Sequence, residues 1–149
     1  DSILLKPGPL SDEEFNLMKN HTVIGRDILA DVIRNVGQAT EDETGLITMG
    51  MEICNTHHER WDGKGYPNGL AGEDIPLVGR ITSIADVYDA LSFPRIYRPY
   101  GLPHEKVLEI IESGTGTQFD PKVVEAFMER EEEILEIRDR FSSRSPSAD

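Results

Sequence analysis

The spacing of apolar positions predicts helices along most of the chain. Ser11 followed three residues later by Glu14 is a capping-box pattern, and Phe15, Met18, Thr22 and Gly25 continue at helical spacing, so a helix starts at Ser11. A second apolar series, Val23, Ile24, Ile28, Leu29, Val32, Ile33 and Val36, marks a stripe from which Arg26, Asp27, Asp31 and Arg34 face water, with Gly37 as its stop. The two series predict two helices with His21 at their junction. After an acidic loop at Glu41-Asp42-Glu43, the residues Leu46, Ile47, Met49, Met51, Ile53 and Cys54 form a helix too apolar for a surface position, running straight into His57-His58. A thiol at Cys54 is then expected to be buried.

The opening Pro7-Gly8-Pro9 cannot continue a helix and reads as an extended loop. From Trp61 to Gly72, four glycines and Pro67 within twelve residues require an irregular loop, the kind of segment that carries function. Ile81, Ile84, Ala85, Tyr88 and Leu91 recur at three- and four-residue steps and place a helix over about Val78 to Leu91. Pro103 in a first turn, Val107-Leu108-Ile110-Ile111 and Gly114 behind them define another. Asp120 caps and Pro121 opens a last helix with Val123, Val124, Phe127, Met128, Ile134, Leu135 and Ile137, in which Glu131-Glu132-Glu133 is a solvated face. No period-2 pattern competes, so the fold class expected is all-α, with residues 1–141 folded and 142–149 a disordered polar tail.

Composition narrows the function classes. With 149 residues the chain fits one domain, and 38% hydrophobic and 29% charged residues allow a modest core. A net charge of −13 argues against polymeric nucleic acid as a partner, because that affinity rests on clustered Lys and Arg. The single Cys54 excludes an internal disulfide and a multi-cysteine zinc site, which points to a reducing, cytoplasmic setting. No stretch approaches a membrane span, so no membrane partner is expected.

Candidate chemistry then rests on few residues. Adjacent helical positions point about 100° apart, so His57 and His58 are expected to serve two ions side by side rather than one. The plainer alternative is a helix C-terminus stabilised by imidazolium. Asp86 lies among apolar neighbours where a buried carboxylate is costly unless a cation balances it. Asp89, one turn on, is either an orienting acceptor for a ligand histidine or a solvent-side residue. His104, after Pro103, reads as an exposed structural imidazole. Arg95 and Arg98 form a basic patch suited to a phosphorylated, stackable ligand, or else cap the preceding helix. The patterns G-x-S-x-G, H-E-x-x-H, C-x-x-C and the P-loop are absent.

The runs His57-His58-Glu59-Arg60-Trp61-Asp62-Gly63-Lys64-Gly65-Tyr66-Pro67 and Ile84-Ala85-Asp86-Val87-Tyr88-Asp89-Ala90-Leu91, with Met18-Lys19-Asn20-His21 and Gly116-Thr117-Gln118-Phe119-Asp120-Pro121, strongly resemble the HD-GYP domain of the HD phosphohydrolase superfamily. The resemblance implies an all-α helical bundle with two or three divalent transition metal ions, iron or manganese among them. It further implies hydrolysis of the bacterial second messenger cyclic di-GMP to pGpG and GMP. On the matching positions it implies His21, His57, His58 and Asp86 as metal ligands, with His57, His58 and Asp86 as the catalytic set. Tyr66, Arg95 and Arg98 are the implied substrate contacts.

The pattern also differs from the family's. The family places its His-Asp dyad and a lysine just before the segment matching Leu4-Leu5-Lys6-Pro7-Gly8, so the sequence is expected to be the C-terminal portion of such a domain, behind a sensory module such as a response-regulator receiver. Thr22, Phe93-Pro94, Ile96 and Leu102 stand where the family favours other residues. An apolar face left unburied predicts a homodimer. A second function class is a catalytically incomplete module that binds a nucleotide, or a diguanylate cyclase partner through Gly65-Tyr66-Pro67.

Overall fold

Ser11 and Glu14 close the expected capping box: the Ser11 hydroxyl accepts from the Glu14 amide at 3.2 Å, and the Glu14 carboxylate accepts from the Ser11 amide at 2.7 Å and from Lys6 Nζ at 2.6 Å. From this cap, in the computed structural model, α1 runs as one helix over Asp12–Asn35 where the spacing predicted two. Lys19-Asn20-His21-Thr22 contains neither Gly nor Pro, and the buried Thr22 hydroxyl donates to the Lys19 carbonyl at 2.9 Å, so nothing interrupts the backbone ladder at His21. The structure describes residues 3, 5–35, 40–96 and 98–142; Val36, the stop expected at Gly37, Tyr97 and the tail from residue 143 lie outside them.

The remaining helices are α2 (Glu41–Thr56), α3 (Leu77–Ser92), α4 (His104–Ser113), α5 (Pro121–Met128) and α6 (Glu131–Ser142), with a single 3₁₀ turn at Gly72–Asp74. No strand occurs among the described residues, and the fold is all-α as expected. Glu41-Asp42-Glu43 forms the first turn of α2 rather than a loop. The expected last helix is split: α5 stops after Met128, and Glu131-Glu132-Glu133 opens α6, where carboxylates complement the helix dipole. α6 also runs one residue further than the expected boundary of the folded part, through Ser142. Asp120 caps α5 as expected, its side chain accepting from the Lys122 amide at 2.8 Å, whereas Pro103 sits at the N-cap of α4 rather than in its first turn.

α1 and α2 pack lengthwise and antiparallel, α2 rests on α3, and α3 meets α4 and α5. A side chain at Gly25 would place its Cβ 3.0 Å from Cys54 Sγ, and one at Gly50 would meet Leu29 at 3.1 Å, so two glycines bring α1 and α2 close. Cys54 is half-buried at this crossing rather than fully buried. At the next crossing a Cβ on Gly79 would lie 2.1 Å from Thr56 Oγ1, so only glycine lets α3 pass the end of α2.

The core lies away from this layer. Ile84 and Tyr88 of α3 pack on Val107 and Ile111 of α4, Phe119 of the following turn and Val124 of α5. Near it Arg80 and Asp120 form an ion pair at 2.6 Å, with the Asp120 side chain 1% exposed. His104 is buried, not exposed as expected, because the Tyr88 hydroxyl lies 2.8 Å from its Nδ1 and draws the ring inward. By contrast α2 lies on the surface despite its apolar sequence: Leu46 is 72% and Met49 45% exposed, and on α1 Ile24 and Ile28 are exposed too.

Ile111, with no exposed surface, fills the centre of the α3–α4–α5 cluster. Ile111→Ala is expected to lower unfolding free energy by roughly 2–5 kcal/mol, from lost burial and the cavity left behind, read from the urea midpoint.

Candidate functional site

Antiparallel packing of α1 on α2 brings His21, near the middle of α1, against the residues that follow α2. α2 ends at Thr56, so His57 and His58 lie in the turn beyond it and the expected 100° separation does not govern them. Their rings stand 4.1 Å apart between centroids, and His21 lies 5.4 Å from His57 and 5.0 Å from His58. One ligand nitrogen from each of the three lies within 4.8 Å of the others.

The hydrogen bonds specify which nitrogens are available. His21 Nδ1 is 2.6 Å from the Met18 carbonyl and His57 Nδ1 is 2.8 Å from the Ile53 carbonyl, so each Nδ1 carries the proton and donates it. The two Nε2 atoms then face each other at 3.3 Å with a lone pair on each when both rings are neutral. Among the described residues no other group is recorded at these two nitrogens, and a shared cation would satisfy both lone pairs. Two nitrogens each roughly 2.0–2.1 Å from one ion stand about 3 Å apart, which the observed separation matches. Ligand histidines fixed through the other ring nitrogen by a carbonyl are the usual second-sphere arrangement. Burial first, then His57 and His21, push the His58 pKa down to about 4, so its ring is neutral at pH 7 and able to ligate. The donor set therefore fits a divalent transition metal.

His57 and His58 open into a pocket of about 300 Å³ shared with Phe15, Lys19, Tyr66 and Asp86. Asp86 is exposed, so its carboxylate bears no burial cost of the kind the sequence suggested; it lines the pocket but lies outside the three-histidine cluster. The Tyr66 ring lies 4.8 Å from that of His58. Burial, with Asp86 as the smaller cause, raises the Tyr66 hydroxyl to about 12, so it stays protonated and can donate.

The loop from Glu59 to Gly72 is tied down by backbone bonds and one buried carboxylate. Glu59, 2% exposed, accepts from the amides of Asn68 at 2.7 Å and Leu70 at 3.0 Å. Tyr66 N donates to the His58 carbonyl at 3.2 Å, and the Tyr66-Pro67 bond is cis. A Cβ on Gly65 would lie 2.4 Å from Arg60 N, so the loop presses on its own entry. Gly63 and Gly69 take φ of +76° and +70°, turns that other residues adopt at a cost. Glu59 and Lys19 escaped the reading of the sequence. The signals present were a carboxylate at the mouth of a glycine-rich loop and a Phe15–Lys19 pair at i,i+4 beside His21.

Other expected residues lie outside the histidine cluster. Arg95 pairs with Asp89 at 2.7 Å, and Asp89 is a solvent-side residue. Arg98 donates to the Ala90 and Phe93 carbonyls, capping α3. A larger cavity of about 750 Å³, lined by Tyr88, Phe93, Phe127, Ile134 and Phe141, is apolar and holds no histidine. No helix among the described residues is long and apolar enough to cross a membrane.

Comparison with known proteins identifies relatives over most of this chain. A cyclic di-GMP phosphodiesterase of Vibrio cholerae is 49% identical over 95% of this chain and 27% of its own length. A cyclic di-GMP phosphodiesterase of Thermotoga maritima is 44% identical over 99% of this chain and 37% of its own. A 3'3'-cGAMP-specific phosphodiesterase of Vibrio cholerae is 42% identical over 93% of this chain and 24% of its own. The chain thus spans between about a quarter and somewhat over a third of the length of these relatives. The HD domain family matches residues 1–123, which include all three clustered histidines, Tyr66 and Asp86, and the chain belongs to that family.

Proposed function

We propose that this chain is the metal-bearing part of a cyclic di-GMP phosphodiesterase of the HD-GYP type. The observation that carries the reading is the pair of opposed Nε2 atoms of His21 and His57 at 3.3 Å, with the neutral His58 beside them. Names of the relatives support the substrate class. In this reading His21, His57 and His58 hold a metal, Asp86 from α3 completes the set, and iron or manganese suits nitrogen and oxygen donors. When bound there, a metal would supply Lewis-acid stabilisation of phosphodiester oxygens and lower the pKa of a nearby water.

The protein's own residues have separate tasks. The Met18 and Ile53 carbonyls hold two imidazoles in the Nε2-presenting tautomer. Tyr66 keeps its proton and donates to a substrate oxygen from the pocket wall. Arg98 secures the chain after α3, and the solvent-side Arg95 reaches the substrate only by releasing Asp89. The family's His-Asp dyad, upstream of Leu4 in this reading, supplies further ligands. Exposed apolar side chains on α1 and α2 support homodimerisation, and binding of a diguanylate cyclase through Gly65-Tyr66-Pro67 belongs to the same proposal.

Purified without chelator, the chain is expected to retain transition metal near one ion or more per chain by elemental analysis, and His57→Ala to lose most of it while keeping its helical signal. A metal-free chain that also fails to bind cyclic di-GMP in calorimetry would overturn the proposal. Gly65→Ala is expected to displace the Tyr66 loop and weaken cyclic di-GMP binding roughly tenfold or more, with metal content unchanged, because its Cβ cannot share space with the Glu59–Arg60 backbone.

A further inference from the structure

The chain is strongly acidic, and its cations are mostly consumed by its own carboxylates. Nine described Lys and Arg side chains form ion pairs with Asp or Glu. Arg98 and Arg138 donate to backbone carbonyls. Lys19 and Lys64 differ: among the described residues neither ammonium has a carboxylate at ion-pair distance, and both line the pocket that holds His57 and His58.

Their surroundings are built to present positive charge there. Lys19 is half-buried on α1, two residues before His21. Its Nζ stands 4.7 Å from the Phe15 ring and 5.6 Å from the Tyr66 ring, and a 3.2 Å bond to Asn16 Oδ1 occupies one of its three donors. Two aromatic faces hold the ammonium over the pocket without neutralising it. Lys64 is exposed between Gly63 and Gly65. Its amide donates to Asp62 Oδ1 at 3.1 Å, while Arg60 holds both carboxylate oxygens of Asp62. That arrangement neutralises the adjacent acid and fixes the Lys64 backbone, leaving its side chain at the pocket mouth. Of the pocket's own carboxylates, Glu59 is already bonded to two backbone amides, and Asp86 lies across the pocket from α3.

Resting on the phosphodiesterase reading above, we propose that Lys19 and Lys64 form a two-sided phosphate clamp. Together they engage non-bridging phosphodiester oxygens and make an otherwise repelling surface accept a dianionic dinucleotide. Lys19 holds the phosphate next to the histidine cluster, and Lys64 meets the ligand at the entrance. Unpaired ammonium groups beside a metal site in a chain of net charge −13 have this task as their physical rationale: local positive potential must exceed the repulsion of the whole.

The test uses the full chain and two probes. Cyclic di-GMP binding is measured by calorimetry at low and high salt for the natural sequence, Lys19→Ala, Lys19→Arg and Lys64→Ala, with bound metal and melting temperature recorded for each. Expected are a weakening of roughly tenfold or more for Lys19→Ala, a shallower salt dependence for both alanine variants, and near-natural binding for Lys19→Arg, all at unchanged metal content. In parallel, inorganic phosphate is titrated while lysine Cε signals are followed by NMR; Lys19 and Lys64 are expected to shift, and the surface-paired Lys106 to stay. If Lys19→Ala binds cyclic di-GMP like the natural chain, or phosphate moves Lys106 as much as the other two, the clamp is refuted. If phosphate moves the two lysines but cyclic di-GMP does not bind, the clamp stands and the cyclic di-GMP reading falls.

Discussion

Everything at the site depends on how closely α1 and α2 approach. Gly25 against Cys54 and Gly50 against Leu29 remove the side chains that would hold the helices apart, and the pairings step along both helices in opposite directions. Continued one turn further, that register sets His21 opposite His57. A Cβ at either glycine would meet a side chain at 3.0–3.1 Å, which would have to give by a few tenths of an ångström, so the two glycines keep this crossing tight where the Nε2 atoms stand 3.3 Å apart.

A second close approach fixes the other half. Gly79 of α3 passes so near Thr56 that no side chain fits, which places Asp86, two turns later, on the wall of the same pocket. Between α2 and α3 the loop has little regular structure, and the Glu59 carboxylate takes the part that a sheet ladder would otherwise play by accepting two loop amides in a buried setting. The Arg80–Asp120 pair then ties α3 to the cap of α5, linking the site layer to the apolar core of α3, α4 and α5.

Charge is distributed with a similar economy. Ion pairs on the outer surface, such as Lys106–Glu109 and Arg130–Glu133, are exposed and contribute little to stability. Lys19 and Lys64, at the polar pocket, have no carboxylate at ion-pair distance among the described residues. The apolar cavity beside α6 is lined by no histidine, and its Arg138 donates to the Leu102 carbonyl, which separates it chemically from the polar pocket although Asp86 and Asp89 are only three residues apart on α3.

Helix existence, the capping box at Ser11, the Asp120 cap and the irregular loop after His58 were legible in the sequence, because each depends on local periodicity or on a residue with one conformational use. The motif runs around His57-His58 and Asp86 likewise carried the family. The inward turn of His104 and the exposure of α2 and Asp86 were not, because each is decided by contacts with residues distant in the chain; helix continuity through His21 and the break between α5 and α6 turn on the Thr22–Lys19 bond and the acidic first turn of α6, which apolar periodicity does not weigh. Apolar periodicity records which face prefers burial but not whether a neighbour arrives to bury it. The sequence by itself determined the all-α class and the family, through local periodicity and the motif runs. Only the tertiary structure decided that His21 of α1 meets His57 and His58 of the turn after α2, since that follows from the close approach of α1 and α2, which no local pattern encodes.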